Sequence, residues 1–250
     1  MKFKHLIPLF LLTLLACQRE KQTYIVPVES IGTLKQIMQE GDIEAKIDLQ
    51  TLAGKPQLYG IGAAENLKGE IMIWKGKAFL TTVAGSGLAT YDGFKKSASL
   101  LVYSEVPAWD SLPLPPQIDE LAKLEEFLLQ SAQRAGVDTN HPFPFLLKGR
   151  PEMVSWHVVN WDENDPVHTH AKHLQSGMRS GWKNTPTEVI GFYSPTPGVF
   201  THHDSRIHLH VTTPDRRLVA HLDQATGING MNLYLPALEN LDEVTSSTKE

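Results

Sequence analysis

The chain has 250 residues, 41% hydrophobic and 20% charged, the balance of an ordinary globular protein with a sizeable core. Its 23 Lys and Arg against 28 Asp and Glu leave a formal charge of -5, so there is no basic excess to grip a phosphate backbone, and no nucleic-acid partner is expected. The single cysteine, Cys17, rules out an intramolecular disulfide framework and a cysteine-based zinc cluster, so a metal would have to be held by His and carboxylates.

Lys2, Lys4 and His5 precede an apolar run from Leu6 to Ala16, the order of a secretory signal and too short to span a bilayer as a helix. The run ends Leu14-Leu15-Ala16-Cys17, which resembles the lipobox of bacterial lipoproteins. That resemblance implies a signal peptide over residues 1–17 ending at a lipidated Cys17 and a polar tether over 18–30. It also implies an exported protein anchored to a membrane, on the periplasmic side or at the cell surface. An ordinary cleaved signal with a chance cysteine is the alternative.

Ser30 to Gly41 predicts a short helix, with Thr33 as N-cap, Leu34, Ile37 and Met38 as its apolar stripe and Gly41 as its stop. From Gln57 to Val106 the pattern is strand-like, with runs at Ile71 to Trp74, Ala78 to Val83 and Ser99 to Val106 and a turn at Lys75-Gly76-Lys77. Pro-rich Val106 to Pro116 reads as a connector. Gln117 to Arg134 carries the clearest helical period, in Ile118, Leu121, Leu124, Leu128 and Ala132, with Gly136 beyond its end. Strand candidates follow at Phe143 to Leu147, Met153 to Asn160, Glu188 to Ser194, Arg206 to Thr212, Leu218 to Asp223 and Met231 to Leu235. The expected fold is α+β and strand-rich with few helices. Residues 31–250 would form two packed β-sheet subdomains, about 31–116 and 117–250, with a metal site on a β-hairpin of the C-terminal half.

Nine of the eleven histidines fall between His157 and His221. In RIHLHVTTPDRRLVAHLD, two alternating runs flank a turn at Thr213 to Arg216, a hairpin signature. His208 and His210 leave the same face of a strand, and a turn centred on Pro214-Asp215 would set His221 directly across from His208. Three imidazoles converging on one point suit a zinc or similar divalent ion with a position left open. Leu209, Val211, Leu218 and Leu222 would pack on the other face.

Gly191-Phe192, then His208-Leu209-His210 and, eleven residues on, His221, resemble α-acetolactate decarboxylase. Upstream, Gly60-Ile61-Gly62 followed by Gly69-Glu70 matches that family's spacing, and the likeness extends from about Gly32 to Pro236. The resemblance implies that His208, His210 and His221 are zinc ligands and that Glu70 projects into the active site. The reaction implied is decarboxylation of 2-acetolactate, a 2-hydroxy-3-oxo acid, to acetoin through a metal-chelated enediolate, with Glu70 protonating the carbon. The position of a family arginine falls on or next to His157, and no arginine lies between Arg150 and Arg179. His157 therefore stands as the second catalytic candidate. A family C-terminal Glu has only Glu239 and Glu243 as counterparts by location.

His202 and His203 lead into the ligand strand and are candidates for a place beside the metal. His168, His170 and His173 read as a polar loop, with a metal-loading site as the alternative. A protein that binds a metal or ligand without turnover, or an enzyme acting on another hydroxy-keto acid, would keep the same histidines. A homodimer is left open.

Overall fold

The computed structural model describes residues 23–203 and 205–237. The expected signal segment with Cys17, the first part of the tether, and Glu239 and Glu243 lie outside them. Strands β1 (Glu29–Ile31), β2 (Ile47–Asp48), β3 (Leu58–Ala64), β4 (Glu70–Trp74), β5 (Lys77–Ala84), β6 (Gly87–Asp92) and β7 (Ser97–Glu105) make one antiparallel sheet, ordered β1-β7-β3-β4-β5-β6 with β2 also on β7. The second sheet contains β8 (Trp109–Pro113), β9 (Phe143–Gly149), β10 (Met153–Val158), β11 (Met178–Lys183), β12 (Thr187–Tyr193), β13 (Ile207–Thr212), β14 (Val219–Thr226) and β15 (Asn232–Pro236). Its order is β11-β10-β14-β13-β12-β9-β15-β8. Helices α1 (Leu124–Ala135) and α2 (His170–Gln175) complete the strand-rich α+β fold. No helix among the described residues is long and apolar enough to cross a membrane.

Strand alternation sorts the apolar residues into three layers. Tyr59, Ile61, Met72, Trp74, Leu100 and Val102 of the first sheet meet Leu146, Ile190, Phe192 and Val219 of the second. Their neighbours Leu58, Ile71, Ile73 and Leu101 face the other way, onto Leu49 and Leu52. On the back of the second sheet, Phe145, Trp156, Leu209, Val211 and Leu222 pack against Leu124, Leu128 and Ala132 of α1. The sheets also share a polar tie, because the Val219 N–H donates to Thr81 Oγ1 at 2.8 Å.

Several elements differ from expectation for identifiable reasons. The supposed connector contains β8, an edge strand paired to β15 from Pro113↔Asn232 to Trp109↔Pro236, and an edge tolerates proline. The sheet changeover thus falls between Glu105 and Trp109. Helix α1 starts seven residues later than predicted. Glu120 is held extended by a bridge to Thr226, and a 3-10 turn at Leu121–Lys123 intervenes. Its end is as expected, with Gly136 at φ 93. The first predicted helix is shorter and partly π-helical over Gln36–Glu40, since β1 takes residues 29–31. Gln36 N still donates to Thr33 Oγ1 at 3.1 Å, and Gly41 closes it at φ 66. The last part of the expected tether is docked. Tyr24 N donates to Gly136 O, the Tyr24 hydroxyl to Pro236 O, and Val26 is buried.

Candidate metal centre

On β13, Leu209 and Val211 go to the α1 side, so His208 and His210 point between the sheets. On β14, His221 lies directly across from His210, not from His208 as the sequence predicts. The cause is the turn. Thr212 pairs with Val219, Thr212 Oγ1 donates to Leu218 O at 2.7 Å, and Arg216 takes φ 52, so the bend centres on Asp215-Arg216. A slip of two residues leaves every side chain on its expected face, and the three imidazoles still meet. Their ring centroids are 5.0 Å (His208 to His210), 5.2 Å (His208 to His221) and 5.6 Å (His210 to His221) apart.

His157 arrives from β10, where it pairs with His221 on one side and with Arg179 of β11 on the other. Its ring centroid lies 4.7 Å from that of His221. Glu70 enters from the opposite sheet. Gly69, at φ 140, packs where a Cβ would lie 2.3 Å from Thr81 O, so only glycine lets the chain turn into β4 there. The 4% exposed Glu70 carboxylate accepts from Val159 N at 3.1 Å and has its Oε2 3.4 Å from His210 Nε2. Gly62 explains its own motif: a Cβ there would sit 2.0 Å from Leu100 O.

Electrostatics follow from this burial. Desolvation pushes the Glu70 carboxyl up to about 7, against the opposing pull of His157 and the Val159 N–H. Burial first, and then neighbouring imidazoles, hold His208 and His210 well below the ordinary histidine range, which keeps them neutral. A neutral imidazole is the form that ligates a metal. His208 Nδ1 is buried with no hydrogen-bond partner among the described residues, an orphaned nitrogen that a cation would satisfy. Tetrahedral zinc–nitrogen bonds of about 2.0–2.1 Å place ring centroids roughly 5 Å apart, close to the spacing found here. The three histidines therefore fit a divalent ion.

Two residues escaped the sequence reading. Asp223 Oδ1 lies 2.6 Å from His157 Nδ1 and 3.5 Å from His221 Nδ1, and Oδ2 lies 3.6 Å from Arg179 Nη2. Burial alone would raise the Asp223 carboxyl, but hydrogen bonds from His157 and His221 and their charge hold it well below the usual range. His157, His221 and Asp223 form a second three-residue set whose donor atoms lie within 4.8 Å of one another. The signal for Asp223 was available, since it stands two residues after His221 on the same strand. Nothing in the sequence marked β11 and hence Arg179.

The imidazoles and Glu70 line a cavity of about 80 Å³ whose other walls include Leu34, Ile37, Leu67, Leu100, Val159 and Phe200. His202 lines it too, 6.0 Å between ring centroids from His221, whereas His203 is exposed and its ring covers Gly198. An open groove of about 570 Å³ adjoins through His202, Ile207 and His221 and carries Arg179, Asp223 and Gln224. The predicted polar loop contains α2, capped by Thr169 Oγ1. There His173 reaches the cavity wall and its Nε2 lies 2.9 Å from His168 Nδ1, while Trp161 stacks on His168.

A family model described as alpha-acetolactate decarboxylase matches residues 30–250. No curated protein matches the sequence. A crystal structure from Staphylococcus aureus, described as a protein of unknown function similar to alpha-acetolactate decarboxylase, has TM-score 0.65 at 13% identity. It covers 86% of this chain and 87% of its own. Alpha-acetolactate decarboxylase from Bacillus subtilis strain 168 gives TM-score 0.65 at 13% identity over 83% of both chains. Acetolactate decarboxylase from Bacillus subtilis subspecies spizizenii gives 0.65 at 14% identity over 84% of this chain and 85% of that one.

Proposed function

The chain belongs to the α-acetolactate decarboxylase family, and on that premise we propose that it decarboxylates 2-acetolactate, or a close 2-hydroxy-3-oxo acid, to the corresponding hydroxyketone. The observation that carries this reading is the opposition of a buried, protonatable Glu70 to three converging imidazoles across the sheet interface. His208, His210 and His221 would hold a divalent ion, zinc in this proposal, which supplies Lewis acidity toward the hydroxyl and carbonyl oxygens of the substrate.

The remaining work falls to the chain itself. When the bond to the substrate carboxylate breaks and carbon dioxide leaves, the electron pair stays on carbon and must take up a proton. Glu70 gives that proton, and a carboxyl near 7 exists in both protonation states at neutral pH, so it can be reloaded from water. Leu67, Phe200 and Val159 keep bulk water from the reacting carbon. His157, held at its Nδ1 by Asp223, presents its Nε2 side for a hydrogen bond to substrate. Arg179, next to His157 across β10 and β11 and half exposed in the open groove, offers the fixed positive charge that a carboxylate requires. We further propose export and membrane anchoring through Cys17, a reading supported by the residue order from Lys2 to Cys17.

The test is acetoin and carbon dioxide release from racemic 2-acetolactate by the full chain, zinc-loaded as verified by elemental analysis. Metal-dependent acetoin formation well above the spontaneous rate is expected. A zinc-loaded protein that does not accelerate the reaction would mean that this scaffold serves another substrate, or binding alone.

A further inference from the structure

The carboxylate of Asp223 is shared by two of the imidazoles at the centre, and it is itself only 10% exposed. The pairing of β10 with β14 shifts by one between Ser155 and Trp156: Ser155 faces Gln224 and Trp156 faces Leu222, so Asp223 is the extra residue, with no partner on β10. Such irregularities re-aim a side chain beside a site. Here the carboxylate comes to rest against His157 Nδ1 at 2.6 Å and His221 Nδ1 at 3.5 Å, and Arg179 engages its other oxygen.

We propose that Asp223 is a positioning residue that fixes the ring orientation and tautomer of both His157 and His221. With His157 Nδ1 hydrogen-bonded to the carboxylate and His221 Nδ1 held 3.5 Å from it, the Nε2 of each ring becomes the basic nitrogen, His221's to serve a divalent cation and His157's to serve substrate. Arg179 limits rotation of the carboxylate and balances its charge. The same three residues have the spacing of a ligand set, yet a ring whose Nδ1 carries a proton cannot ligate through that atom. Positioning and ligation therefore predict different behaviour. The inference rests on the metal-holding part of the proposed function and not on the identity of the substrate.

The experiment compares zinc affinity, by competition with a chromogenic chelator, and histidine 15N spectra of the metal-free full chain for the natural sequence, Asp223→Ala, Asp223→Asn and the ligand benchmark His210→Ala. The benchmark should lose most of its bound zinc. Asp223→Ala should bind zinc about 10- to 100-fold more weakly, and two rings should lose their fixed Nδ1–H tautomer. Asp223→Asn, whose amide oxygen still accepts, should keep the tautomer and recover part of the affinity, and it decides the matter if the alanine variant does not fold. Unchanged affinity and tautomer in these variants would overturn the inference. So would a zinc loss in Asp223→Ala as complete as in His210→Ala, because Asp223 would then be a ligand. Zinc binding with no turnover of 2-acetolactate would sink the decarboxylase reading and leave this one standing.

Discussion

A carboxylic acid is poised near neutrality only where its charge is poorly solvated but not abolished. At Glu70, burial opposes ionisation, while a single backbone N–H and the nearby His157 favour it. Glutamine at this position keeps the shape and the acceptor for Val159 N but has no acidic proton to give. Glu70→Gln should lower the rate of acetoin formation by about 10²- to 10⁴-fold, the ordinary contribution of a general acid. Its zinc content, read by elemental analysis, should stay the same, and unchanged turnover would remove Glu70 from the reaction.

Elements, not isolated side chains, decide which of these groups meet. Leu128 of α1 is fully buried against the back of the second sheet, on the face opposite the imidazoles. Leu128→Ala should cost about 2–5 kcal/mol in denaturant unfolding. Because the cavity lies across the sheet, zinc affinity should not change, and a parallel loss of affinity would show that the helix sets the site's geometry. The same elements explain what was legible in the sequence. Strand parity places His208, His210 and His221 on one face whatever the turn does, so the imidazole cluster could be read even though the register was off by two. Glu70 stood out only through a spacing shared with a family, because nothing local says which side chains of one sheet will face the other. Arg179 sits on a strand without strong alternation, in MRSGWK, whose residues are mostly exposed, and such an edge strand carries little hydrophobic signal.

At the scale of the whole molecule, the two ends of the described chain are joined. Tyr24 donates from its hydroxyl to Pro236 O, exchanges backbone bonds with Gly136 and Asp138, and lies close to Asp110. Burial, and then the charge of Asp110, push the Tyr24 phenol up to about 12. The folded state therefore holds this proton more tightly than the unfolded chain does. The stabilisation is complete below about 10, the unfolded value, and is lost as pH rises from there through the folded value. Tyr24→Phe should lower stability at neutral pH by removing the bond to Pro236 and should flatten the fall in thermal midpoint between pH 10 and about 12. An equal alkaline fall in both proteins would show that the Tyr24 phenol is not the group responsible for it.

His157, His208, His210 and His221 all hang from the second sheet, whereas Glu70 hangs from the first. On the function proposed above, the two capacities of the site would be inherited from different stretches of chain, residues 143–226 for cation capture and residues 58–74 for proton delivery. Drift in the earlier stretch would then silence the chemistry and leave a competent metal trap, while drift in the later one would remove both. Descendants of this architecture should accordingly decay in one direction, from catalyst to sequestering protein, and seldom in the reverse.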